Sequence, residues 1–272
     1  MAQSVFVSAG DRRFTATDVA RGPWDPMAQH GGAPAALLMR AFEGLPAPEG
    51  LMIARVTYEF MRPVPLGELE VRAEVIRPGR RVQLLEASVF NSEGTEVARA
   101  RALQVQRAGN GAASPGEAPP ALGPEQGQID APQLPLTEGM TFFGADAIEI
   151  RFVAGGFNAL GPATAWFRLK VPLVDGEEPS PLQRLAAAGD FGNGIGASLP
   201  WGEWIFINPD LTLYVERVPA GEWICLDSRT IIAEDGVGLA ESILYDERGR
   251  VGRAIQSLLV AQRPAATSGG TP

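Results

Sequence analysis

Val56–Arg107, VTYEFMRPVPLGELEVRAEVIRPGRRVQLLEASVFNSEGTEVARARALQVQR, returns later in the chain as Leu211–Arg263, LTLYVERVPAGEWICLDSRTIIAEDGVGLAESILYDERGRVGRAIQSLLVAQR. Thr57 falls on Thr212, Arg62 on Arg217, Gly67-Glu68 on Gly221-Glu222 and Glu86 on Glu241. Further on, Gly94 falls on Gly249 and Val97-x-Arg99-Ala100 on Val251-x-Arg253-Ala254. The offset holds at 154–155 residues and slips by one only at turns, where insertions are tolerated. A repeat this long is a pair of domain-sized units and not a short solenoid repeat. Differences between the copies therefore indicate which half carries a working site.

The 272 residues are enough for two ordinary domains, each with a core. Hydrophobic residues make up 45% and charged residues 20%, within the globular range. A net charge of −9 argues against a nucleic-acid partner, which calls for a basic face. The single cysteine, Cys225, excludes an intrachain disulfide framework and a thiolate zinc site, and its apolar neighbours read as a buried strand. His30 is the only histidine, so histidine-rich metal sites are excluded too, and no metal is expected. The first residues lack the basic start and apolar core of a signal peptide. No stretch approaches ~20 uninterrupted apolar residues, so a cytoplasmic, soluble protein without membrane contact is expected.

Residues 1–107 read as one unit, 108–136 as a linker rich in Pro, Gly and Ala, 137–264 as the second unit and 265–272 as a disordered tail. In the first unit Phe14–Val19 reads as a strand, and a helix from Pro34 to Glu43 is apolar almost all round. Arg55–Met61, Glu68–Ile76, Val82–Asn91 and Glu96–Gln106 alternate in polarity as strands. In the second, Ser180-Pro181 reads as a cap with proline at the first helical position. That helix runs to Asp190 and, on a longer reading, to Leu199; strands from Trp204 to Arg217, Trp223–Ala233, Gly238–Asp246 and Arg250–Ala261 follow. A helix that needs cover on every side suits a long curved antiparallel sheet wrapped round it. The expected fold class is α+β, a double hotdog, and Gly192, Gly194 and Gly196 are expected to let helix and sheet approach closely.

Three patches in that order, Gln29-His-Gly-Gly32, Ala188-Gly-Asp-Phe191 and the strands Asn208-Pro-Asp-Leu-Thr212 with Arg253-Ala-Ile-Gln256, resemble the type II acyl-CoA thioesterases. The resemblance covers nearly the whole chain apart from the linker and both ends. It implies hydrolysis of an acyl-CoA or related thioester, with coenzyme A entering as part of the substrate and no other cofactor. It further implies a water held and activated by an aspartate, Asp190, and a glutamine, Gln256, with a threonine or serine on the intervening strand. Counting along that strand puts Asn208 in the third place, and Thr212 is the nearest hydroxyl. Asn208, Asp210 and Thr212 are expected on one face by the period of two.

The chemistry stands without the analogy. Water attacking a carbonyl must lose a proton, and a carboxylate within reach contributes typically ~10²–10⁴-fold. A carboxamide can orient that water or polarise the carbonyl, and backbone N–H groups around Gly189–Gly194 could receive the oxyanion. The repeat acts as an internal control: Ala102 stands where Gln256 would, and Gln29–Gly32 holds no carboxylate. One site per chain is therefore expected, built from the second half and closed by the first. His30, Gly31 and Gly32 are candidate substrate-lining residues, and Arg80 and Arg81 candidates for the CoA phosphates. The alternatives are a non-catalytic acyl-thioester binder, or a hydratase or dehydratase centred on His30. A homo-oligomer is compatible with such sheets.

Overall fold

The computed structural model describes residues 4–109, 111, 116–130 and 139–263. The first half opens with β1 (Phe6–Ser8), β2 (Arg13–Ala16) and α1 (Gly32–Glu43), followed by β3 (Leu51–Phe60), β4 (Gly67–Arg77), β5 (Val82–Asn91) and β6 (Glu96–Gln106). The second comprises β7 (Gln128–Ile129), β8 (Ile148–Ala154), β9 (Ala163–Leu169), α2 (Pro181–Gly189), α3 (Gly192–Ile195), β10 (Trp204–Ile207), β11 (Asp210–Val215), β12 (Trp223–Ile232), β13 (Val237–Asp246) and β14 (Gly249–Gln262). The strands form one sheet in the order β1-β2-β4-β5-β6-β3-β11-β14-β13-β12-β9-β8-β7, with β10 pairing only with β14.

The halves join where β3 meets β11 antiparallel, and Thr57 lies directly opposite Thr212. Their hydroxyls approach to 3.2 Å. These residues are each other's counterparts in the repeat, so an approximate two-fold axis passes between them. Inside the sheet, α1 and α2 pack antiparallel. Gly32 at the start of α1 lies against Ala187 near the end of α2, while Glu43 at the end of α1 accepts from Ser180 and Gln183 at the start of α2. A single apolar core containing Leu37, Leu38, Met39, Leu185, Ala186, Val56 and Leu213 spans both halves. This is the expected α+β double hotdog. Among the described residues no helix is long and apolar enough to cross a membrane.

The structure alters several local expectations. The strand expected at Phe14–Val19 stops at Ala16, because Thr17 accepts from the Val19 N–H and caps a 3-10 turn at Asp18–Ala20. Helix α1 starts at Gly32, before Pro34, which the first turn tolerates because it needs no N–H there. The second helix does not run on to Leu199. Ser180 caps α2 as expected, its hydroxyl accepting from the Gln183 N–H at 3.1 Å, an arrangement worth about 1 kcal/mol. The helix then breaks, with Asp190 as the C-cap of α2 and a separate turn of helix beyond it. Two of the three glycines do allow close approach. A Cβ on Gly192 would lie 2.7 Å from Ser242 Oγ and one on Gly196 3.1 Å from the Arg229 backbone, whereas Gly194 faces open space.

Part of the expected linker is bound structure. Residues 116–130 cross the outer face of the second half, where Trp166 Nε1 donates to the Leu122 carbonyl at 3.0 Å and Tyr245 Oη donates to Glu117 at 2.8 Å. This strap covers Trp166, Trp223, Cys225 and Tyr245, a cluster separate from the main core. Residues 110, 112–115 and 131–136 of the linker, and the tail at 265–272, lie outside the described residues.

Candidate active site

Three inward turns of the backbone bring the site together. Asp190 is placed by the end of α2, and Gln256 by the inner face of β14, where Ala254 and Leu258 are its buried neighbours two residues either side. Asn208 follows β10 in phase with the buried Phe206 two residues earlier, and a bulge comes after it. Ile207 pairs with Leu259 while Thr212 pairs with Ile255, so five steps on one strand face four on the other. Such a bulge re-aims a side chain. Downstream of Asn208 the alternation is reversed, so Leu211 faces inward in place of Asp210.

That bulge corrects the expected shared face of Asn208, Asp210 and Thr212. Leu211, Leu213 and Val215 are the buried residues of β11, so Asp210 and Thr212 point outward. Asp210 accepts from the Ser257 N–H at 2.7 Å and Thr212 meets Thr57. Neither reaches Asp190. Of the two candidates for the third position, Asn208 is the one the structure brings to the carboxylate.

Asp190 Oδ1 accepts from Asn208 Nδ2 at 2.7 Å and from Gln256 Nε2 at 2.9 Å. The other end of Gln256 is also held, because its Oε1 accepts from the Asn193 N–H at 3.3 Å. The Asn193 side chain in turn accepts from Thr230 Oγ1 at 3.2 Å. Thus one N–H of the expected oxyanion region is already engaged by the catalytic candidate. Asn193 escapes sequence reasoning, its only signal being a polar residue between two glycines.

The second carboxylate oxygen faces the first half. His30 Nδ1 lies 3.2 Å from Asp190 Oδ2, and the Gly32 N–H donates to His30 Nδ1 at 3.0 Å and also toward Asp190. Gly31 permits this contact, since a Cβ there would come within 2.7 Å of Oδ2. The imidazole packs against the rings of Phe191, with centroids 4.3 Å apart, and Phe143 at 5.2 Å, and those two rings also meet each other at 6.1 Å. Nothing in the sequence singled out Phe143. The site is thus composite: the carboxylate and both amides come from the second half, and the imidazole and two glycines from the first.

Burial determines the proton inventory. The Asp190 side chain is 5% exposed, and desolvation raises its pKa to about 7 against the lowering donations of Asn208, Gly32 and Gln256. Burial lowers His30 to about 3. Near neutrality the imidazole is therefore uncharged. With Nδ1 receiving the Gly32 N–H, its hydrogen is on Nε2. Oδ1 is occupied by two N–H donors, so a proton on the acid belongs on Oδ2, which lies 3.2 Å from His30 Nδ1.

Arg80 and Arg81 lie on the exposed turn between β4 and β5, and neither pairs with an acid among the described residues. The equivalent turn of the second half carries Glu234 and Asp235. Beyond Gln256 along β14, Leu258 and Val260 form a small apolar cluster with Phe206 and Ala240, flanked by Leu199, Trp201 and Trp204. Trp201 also contacts Trp24 of the first half at 5.0 Å.

The acyl-CoA thioesterase N-terminal domain family matches residues 20–105, and the acyl-CoA thioesterase C-terminal domain family matches residues 118–260. A provisionally named thioesterase from Novosphingobium aromaticivorans is 24% identical with a TM-score of 0.72, covering 95% of this chain and 99% of its own. A hot dog protein of unknown function from Alicyclobacillus acidocaldarius is 17% identical with a TM-score of 0.71, covering 95% and 96%. The acyl-CoA thioesterase II TesB2 from Mycobacterium marinum is 17% identical with a TM-score of 0.64, covering 96% of each chain. These likenesses carry the fold. No curated protein matches. With both domain families matched in order along one chain, the protein belongs to the acyl-CoA thioesterase family and is a thioester hydrolase.

Proposed function

We propose that Asp190 is the general base that activates water for attack on the acyl-CoA carbonyl, with Asn208 and Gln256 holding its carboxylate and His30 facing the oxygen that takes the proton. One observation carries the reading. A single buried carboxylate receives two carboxamides on Oδ1 and presents Oδ2 to an uncharged imidazole. The amides keep Oδ1 out of proton transfer, so only Oδ2 exchanges a proton. Water loses its proton to Oδ2 as its oxygen bonds to the carbonyl carbon. The C–S bond then breaks, and the proton passes to the departing thiolate to give free thiol and carboxylic acid. A pKa near 7 suits a group that must accept and return a proton at neutral pH.

An amide in place of a hydroxyl at the third position distinguishes this chain from the threonine or serine pattern. Asn208 donates to the carboxylate and cannot act as an O–H relay. The acyl chain is assigned to the cluster of Phe206, Leu258 and Val260 beside Gln256, and the CoA phosphates to the unpaired Arg80 and Arg81. A hydratase centred on His30 fits less well, because its Nδ1 accepts the Gly32 N–H and its ring packs against Phe191 and Phe143. The test is thiol release from a panel of acyl-CoAs. Turnover abolished by Asp190→Asn with the fold retained is expected, and full turnover in that variant rejects the mechanism.

A further inference from the structure

The inner face of the second half carries buried hydroxyls that the first half lacks. Ser228 on β12 pairs with Ser242 on β13, Thr230 pairs with Ala240, and Ala240 in turn pairs with Gln256 on β14. The same register in the first half sets Ala73 opposite Ala87, Val75 opposite Leu85, and Leu85 opposite Ala102. Strand by strand, Ser228, Thr230, Ser242 and Gln256 therefore stand where the first half has Ala73, Val75, Ala87 and Ala102. All four polar residues are buried, where each costs stability unless its hydrogen bonds are met. The first half builds the same sheet without them, so the fold does not call for them. Ser228 and Ser242 satisfy each other at 2.7 Å. Thr230 instead reaches from the sheet toward the site.

Thr230 Oγ1 donates to Asn193 Oδ1 at 3.2 Å, and the Asn193 N–H donates to Gln256 Oε1 at 3.3 Å. Gln256 Nε2 then donates to Asp190 Oδ1 at 2.9 Å. The weak member of this chain of bonds is α3, a single turn reading Gly-Asn-Gly-Ile, because glycine disfavours helix. Asn193 is its one polar side chain, and the bond to Thr230 ties the turn to β12. The turn lies directly on the amide, since a Cβ on Gly192 would meet Gln256 Oε1 at 3.2 Å. The two ends of a carboxamide have nearly the same shape, so partners on both sides set its orientation. For Gln256 these are acceptors on Asp190 and the donor at Asn193. Moving that donor away leaves Oε1 buried without a partner and frees the amide to leave the carboxylate.

We propose that Thr230 is a positioning residue for the hydrolysis, holding the Gln256 amide on the Asp190 carboxylate by way of Asn193. It touches no reacting atom. The inference rests on the reading of Asp190 as the base and adds to it a residue that acts through Asn193 and Gln256. Without the Thr230 hydroxyl, Asp190 loses one of the donors that favour its ionised form. Less of the base is then ready at neutral pH, and the loss falls on kcat and not on KM.

The experiment compares acyl-CoA hydrolysis by the full native chain with Thr230→Val, Thr230→Ser, Asn193→Ala and Asp190→Asn, each checked for folding by far-UV circular dichroism. Thr230→Val installs the first half's side chain. It is expected to lower kcat about tenfold, the worth of one lost hydrogen bond, with KM unchanged. Its kcat/KM should also rise at a higher pH than that of the native chain. Asn193→Ala removes the same bond from its other side and should match it, so one misfolded variant leaves the other to read. Thr230→Ser keeps the hydroxyl and should retain the native kcat and pH profile. Native turnover in folded Thr230→Val overturns the inference. An equal loss in Thr230→Ser, or a fall in kcat with no movement of the profile, overturns it too. Those results leave Asp190 as the base so long as Asp190→Asn is inactive. Full turnover in Asp190→Asn removes that reading, and this inference with it.

Discussion

Gln256 and Ala102 hold equivalent positions on the last strands of the two halves, facing inward and almost fully buried. One is an amide that reaches a carboxylate; the other is a methyl group in the core. Two residues further on, the second half has Leu258 beside Gly238, whereas the first has Gln104 beside Gln83. These two glutamines bond to each other at 3.1 Å, and Gln83 also donates to the Pro46 carbonyl. The first half thus uses buried amides to tie its own loop to its sheet. The second leaves that space apolar and spends its amides on Asp190. The same scaffold supports both, because inward positions of a curved sheet tolerate any group whose hydrogen bonds are met. The first half is nevertheless not idle, since it delivers His30, Gly31 and Gly32 to the carboxylate of the second.

The widest separation between the halves should come from Asp190→Asn, which is expected to lower turnover by ~10²–10⁴-fold with no loss of folding. Comparable activity in that variant would remove the second half's claim to the chemistry. Next is Gly31→Ala, a methyl group placed in the first half. Its Cβ meets Asp190 Oδ2 at 2.7 Å, so turnover should fall at least tenfold, with a stability loss of about 1–3 kcal/mol from overpacking. An unaffected kcat/KM would mean the contact between halves is idle. Ala102→Gln, which writes the second half's amide into the first, should cost a similar 1–3 kcal/mol in chemical denaturation. It should leave kcat per folded chain unchanged, since no carboxylate awaits it there.

The smallest and sharpest effect is in the pH dependence of stability. Asp190 is raised from 3.8 to about 7 in the folded state, so its contribution is fully present below about 4 and is lost as pH rises through 7. His30 is lowered from 6.5 to about 3, so its contribution is present above 6.5 and is lost as pH falls through 3. Between these limits the folded and unfolded pairs each bind one proton, and the two slopes cancel. Asp190→Asn should therefore reveal stability rising with pH over this window, and His30→Gln stability falling. Each slope is at most about 1.4 kcal/mol per pH unit. Denaturant midpoints at pH 4.5 and 6 would show it, and parallel shifts in both variants would contradict the pairing of these groups.

Much of the architecture was legible because repetition and alternation are local properties of the chain. The strands matched within a few residues, and the capping of α2 by Ser180 followed from Ser-Pro alone. Errors arose where one residue changes the phase. Pro209 removes an N–H from the strand after Asn208, and the bulge there turned Thr212 outward, which the period of two could not anticipate. Placing Asp190 and Gln256 at the site rested on a family resemblance. The His30 contact depends on α1 and α2 running antiparallel, a tertiary fact with no signature in Gln29–Gly32. The strap at 116–130 has a linker's composition, so its docking on Trp166 and Tyr245 left no signal in the sequence.

In the proposed mechanism one buried carboxylate, poised near neutrality, removes the proton from water. This step is tested most directly by the pH profile of kcat/KM for acyl-CoA hydrolysis in the native chain. The logarithm should rise with unit slope below pH about 7 and level off above it, following the ionisation of Asp190. A profile flat from pH 5 to 9 on the order of experimental error, with turnover intact, would contradict it.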